Sequence, residues 1–73
     1  MRSDPQPQHY AFRVRGHVGA LTLRAFPELE AETDGGETVL TGRLPDSAAL
    51  YGVVAQLERL GLELLEIVRL PDN

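Results

Sequence analysis

The chain has no cysteine, no tryptophan and no lysine; its seven cationic side chains are all arginine. Without cysteine there are no disulfides and no thiolate metal sites, two braces that small folds often use. Without lysine there is no Schiff-base amine and no phosphate-loop lysine. His9 and His17 are too few imidazoles for a structural zinc site, so no metal and no cofactor is expected. No apolar run approaches the roughly 20 residues that span a bilayer, which removes a membrane partner. The formal net charge of −4 lacks the clustered positive charge that phosphate binding needs, so no nucleic-acid partner is expected either.

What is present suffices for one domain: 73 residues, 42% of them hydrophobic. A chain of this size buries only about 60% of the surface its unfolded form exposes, so its stability alone is small. With disulfides and metals excluded, association with a second subunit is the common remedy left. Residues 1–8, with Pro5 and Pro7 among polar neighbours, read as a disordered tail without the apolar centre of a secretory signal. A cytoplasmic location is the default that follows. Residues 9–70 form the expected single domain, and 71–73 a C-terminal tail.

Tyr10, Phe12 and Val14 alternate with Ala11, Arg13 and Arg15, the period of a half-buried strand that ends at Gly16. The stretch from His17 to Phe26 is ambiguous. Val18, Leu21 and Ala25 have helical spacing, while Leu21, Leu23 and Ala25 suit a strand; it is taken as a short helix closed by Pro27. Glu28 to Thr33 alternates again, and Asp34-Gly35-Gly36 punctuates a hairpin into a strand over Glu37 to Leu44. With Gly35 and Gly36 in the loop, Ala31 opposes Leu40 and Glu28 opposes Arg43. Asp46 then caps a helix over about 47–60. Leu50, Val53, Val54, Leu57 and Leu60 form its apolar stripe, and Gly61-Leu62 supplies its stop.

Leu62 to Leu70 is the last strand, apolar on both faces. Burying the even set would bury Glu66, which is costly without a partner, so the odd set with Leu65 and Ile67 is taken as inward. Leu64, Val68 and Leu70 then point outward around Glu66. The expected core is Phe12, Val14, Leu29, Leu40, Leu50, Val54, Leu57, Leu65 and Ile67. The order strand, helix, strand, strand, helix, strand with right-handed crossovers gives a ferredoxin-like βαββαβ two-layer α+β sandwich on a four-stranded antiparallel sheet.

Four segments carry a resemblance. They are Phe12-x-Val14-x-Gly16-His17, Thr38-Val39-Leu40-x-Gly42, Asp46-x-Ala48-Ala49-Leu50-Tyr51-Gly52, and Leu60-Gly61-Leu62-x-Leu64-Leu65. Together they resemble a group of small stand-alone bacterial, actinobacterial-type proteins of unknown function, over residues 9 to 70. The similar proteins carry an aromatic, tryptophan-containing segment after the Gly-His pair, where this chain runs from Val18 to Phe26. The resemblance implies no activity.

No nucleophile–base pair and no glycine-rich phosphate loop is evident, so no catalytic residue is assigned. His17, at a strand end, is the one possible ligand-binding residue, and otherwise a surface histidine. Ser47 reads as helix-start chemistry, and Glu28, Glu30 and Glu32 as a solvated strand face. The apolar outer face of the last strand is different, because it lies at a sheet edge. Leu64, Glu66, Val68 and Leu70, joined by Arg13 and Arg15 on the open sheet face, make the expected interface. The expected role is a non-enzymatic module that forms a homo-oligomer or binds another protein. Two alternatives stay open: a small-molecule-sensing domain of the ACT-like type, and an oligomeric enzyme with a site near His17.

Overall fold

The computed structural model describes residues 7–71. Of the tail expected over 1–8, positions 1–6 lie outside the described residues, and Gln8 already opens the first strand. The elements are β1 (Gln8–Arg15), α1 (Ala20–Leu23), β2 (Glu30–Asp34), β3 (Glu37–Leu44), α2 (Ser47–Arg59) and β4 (Leu64–Leu70). The four strands form one antiparallel sheet in the order β2-β3-β1-β4, which is the ferredoxin-like arrangement with a short first helix.

Local signals set the limits of α2. The Asp46 carboxylate accepts a hydrogen bond from the Ala49 N–H at 2.9 Å, satisfying a donor the first turn leaves free. At the other end Leu62 N–H donates to Leu57 O and Gly61 N–H to Glu58 O, both at 3.0 Å. This is the Schellman pattern, and it needs the left-handed conformation that Gly61 adopts at φ 77°. The hairpin also forms as read, with Ala31 opposite Leu40 and Asp34 opposite Glu37.

Phe12, Val14, Leu40 and Leu57 are wholly buried, with Leu44 and Val53 beside them. Leu29, Leu50 and Val54 pack against this cluster from its margin. Val18 and Phe26, from the ambiguous stretch, complete it. Leu21 does not: it is 77% exposed on a helix of four residues. After Leu23 the chain winds tighter, with Arg24, Ala25 and Phe26 each donating to the carbonyl three residues back, until Phe26 is driven into the core ahead of Pro27. Leu29 N–H then bonds Phe26 O, so Glu28 lies in this turn and not in the ladder opposite Arg43, as the alternation had suggested.

The main correction concerns β4. Leu65 is outside the core, Ile67 is 40% exposed, and Leu64 packs against the core instead of pointing outward. A bulge causes this. Phe12 pairs with Ile67 and Arg13 with Glu66, but Val14 pairs with Leu64, so one residue is skipped at Leu65. The slip turns Leu64 towards Val14 while Glu66 stays on the open face beside Arg13. Ile67 is on the helix side of the sheet, as expected, but it is not part of the core cluster.

Candidate interaction surface

Both helices pack on one face of the sheet, through Leu23 of α1 and Val53 and Leu57 of α2, and among the described residues the other face carries none. The register fixes the residues of the open face. β1 contributes His9, Ala11, Arg13 and Arg15; β3 contributes Glu37, Val39, Thr41 and Arg43. Glu30, Glu32 and Asp34 come from β2, and Glu66, Val68 and Leu70 from β4.

Arg13 is the hub of this face. Its guanidinium donates to the Asp34 carboxylate at 2.9 Å and to Glu37 at 2.8 Å, and Glu66 lies 3.8 Å from its Nε. Hydrogen bonds to Asp34 and then Glu37 raise its pKa above the ordinary arginine value. The planar fork suits such bridging, because several N–H groups diverge in fixed directions. Arg13 thus ties β1 to the β2–β3 hairpin on one side and leans on β4 on the other. Arg15 bonds Glu63 at 2.9 Å on the rim, where both side chains are largely exposed.

Of the expected interface residues, Glu66, Val68, Leu70, Arg13 and Arg15 come together on the open face. Leu64 does not, for the reason given by the bulge. Val68 is 39% exposed, and it sits directly beside Ala11 on the neighbouring strand.

The β1–α1 loop holds His17, which is exposed. A buried Thr38 hydroxyl fixes that loop: it donates to Gly16 O at 2.7 Å and accepts from Val18 N–H at 3.3 Å. Thr38 opens one of the four resembling segments, but nothing in the sequence marked its hydroxyl as the brace of this loop. The loop therefore has a defined backbone, yet among the described residues no group of histidines and carboxylates is arranged to hold a metal ion. A shallow cleft of ≈ 230 Å³ opens elsewhere, between α2 and the turn after α1, with Phe26 and Val53 as its apolar lining and Glu28 and Gln56 as its polar groups. Among the described residues no helix is long and apolar enough to cross a membrane.

These features define a small α+β domain of ferredoxin-like architecture whose prominent surface, among the described residues, is a helix-free sheet face with an apolar edge. The chain belongs to the family described as "Domain of unknown function (DUF8691)", which matches residues 9–68. Neither a curated protein nor a solved structure matches it.

Proposed function

We propose that this domain works by association, as a small non-enzymatic module that pairs with a copy of itself or with another protein through β4 and the open sheet face. The observation that carries the reading is the β4 edge. Five of its seven residues are apolar, among the described residues no strand lies on its outer side, and Ile67 and Val68 expose side chains on opposite faces at its middle. An unpaired strand edge of this kind invites a partner strand, and small domains gain stability by accepting one. The motif resemblance supports a bacterial, actinobacterial-type source, and the absence of cysteine fits a cytoplasmic setting.

The test is solution mass by sedimentation across the micromolar range, for the wild type and for Val68→Asp. The wild type should associate. The variant should dissociate by a factor of about a hundred or more, since two valines at ~1.5 kcal/mol each leave the interface. A strictly monomeric wild type rules out self-association and leaves a hetero-partner, which affinity capture on the immobilised domain, with Val68→Asp as the control, would then have to reveal.

The cleft beside Phe26 favours a second reading, a ligand-sensing regulatory domain. A thermal-shift screen with small metabolites tests it, and Gly52→Leu, which fills the cleft, should abolish any shift.

A further inference from the structure

The sheet has two edges, and their side chains offer a partner different things. Every residue of β2 is exposed, and Glu30, Glu32 and Asp34 line one face. Pairing β2 with its own copy would set carboxylates against carboxylates. Pairing β2 with β4 of another copy repeats head to tail, which gives a ring or an open chain and not a two-fold pair, the commonest closed assembly. β4 carries only Glu66 and Arg69 as charges, and they lie on opposite faces.

Resting on the reading above, we infer that the occupant of the β4 edge is a second copy of this chain. Its β4 runs antiparallel to the first about a two-fold axis at Val68, and the two sheets join into one. Leu64 and Leu65 lie at the bulge, so the axis falls within Glu66 to Leu70, and there the register follows from exclusions. In a two-fold pair the residue on the axis meets its own copy. An axis at Glu66 or Arg69 would place like charges directly opposite, which destabilises the ladder. An axis at Ile67 would set Leu64 against Leu70. The bulge puts these on opposite faces, Leu64 with Val14 on the core side and Leu70 with His9 on the open side, so the ladder cannot run through. An axis at Leu70 would carry the ladder onto Pro71, which has no N–H to donate.

An axis at Val68 uses the regular run from Glu66 to Leu70 and nothing else. Val68 meets its copy on the open face. Glu66 opposes Leu70 and keeps its place beside Arg13. Ile67 opposes Arg69 on the helix side, where the arginine stem covers an isoleucine that the fold leaves exposed. The two exposed side chains at the middle of the strand are thus both buried by one event.

The chain contains no cysteine, so a single introduced thiol reports on one contact. Directly opposed Cβ atoms in an antiparallel pair lie about 4.5–5.5 Å apart, within small adjustment of disulfide geometry. Val68→Cys, Ile67→Cys and Val39→Cys are oxidised at equal concentration, with circular dichroism confirming the fold of each. Val68→Cys should give about tenfold more covalent dimer than either of the others, as the residue on the axis. Dominant cross-linking through Val39→Cys, at the centre of the open face, means face-to-face packing; it overturns edge pairing but leaves the proposed function standing. Dominant cross-linking through Ile67→Cys overturns the register. A wild type that stays monomeric at high micromolar concentration overturns the inference together with the self-associating form of the proposed function.

Discussion

β2 and β4 close the same sheet, and they are held to it in different ways. β2 is five residues long with every side chain exposed, and its inward-facing Ala31 and Thr33 reach no buried layer. Backbone bonds to β3, the Arg13–Asp34 contact and the close approach of Leu29 keep it in place. β4 is seven residues long and is anchored by Leu64 and the preceding Leu62, which pack on the core. β2 is thus weakly anchored and lined with three carboxylates, whereas β4 is well anchored and carries one charge of each sign. A strand edge becomes sticky or inert through its side chains, whatever its place in the fold.

The largest effect should come from erasing that difference. Replacing Glu30, Glu32 and Asp34 together by threonine removes the carboxylates that guard β2 and raises its strand propensity. With both edges receptive, the domain should form open-ended polymers, visible as fast-sedimenting material that the wild type lacks. Unchanged sedimentation would mean the charges do not guard the edge. A smaller effect separates the anchors. Leu64→Ala should cost about 2–3 kcal/mol in urea unfolding, as a leucine packed on the core, while Thr33→Ala on β2 should stay within ~0.5 kcal/mol.

Gly42→Ala tests the anchor of β2 from the other side. A Cβ there would lie 2.5 Å from Glu28 O and 2.7 Å from Leu29 Cδ2, so the turn entering β2 must shift. The expected loss is about 1–3 kcal/mol, with nuclear magnetic resonance shifts concentrated at residues 28–31 and little change in β4. The smallest effect belongs to Arg15→Ala. Arg15 and Glu63 are mostly exposed and lie away from the paired run of β4, so stability should change by no more than about 0.5 kcal/mol and the solution mass not at all. A change in mass would show that the interface reaches the rim of the open face.

The features readable from the sequence are those whose cause is local. Asp46 and Gly61 mark α2 because a cap and a left-handed stop act within a few residues. Asp34-Gly35-Gly36 fixes the hairpin for the same reason. The bulge at Leu65 has no such marker. It arises because Leu64 must reach the core and Glu66 must reach Arg13, and an unbroken alternation would put both on one face. The length of α1 was hidden likewise: Val18 is held by Thr38 from twenty residues away, and Phe26 is drawn inward, which leaves only Ala20–Leu23 free to be helical. On the candidate surface, the alternation of β1 placed Arg13 and Arg15 on the open face. It did not reveal that Arg13 is clamped by Asp34 and Glu37, which lie 21 and 24 positions along the chain.

The Thr38 hydroxyl, between Gly16 O and Val18 N–H, has a consequence for how the molecule opens. Its side chain is buried, and it belongs to a central strand flanked by β1 and β2. The Val18 amide cannot exchange its proton for deuterium by local fraying of the loop alone, since Thr38 must be released first. Its exchange rate is therefore expected to match the slowest amides of β1 and β3, and not those of the loop around it. An amide in a loop that exchanges like a central strand would mark residues 16–18 as part of the last unit of the domain to unfold.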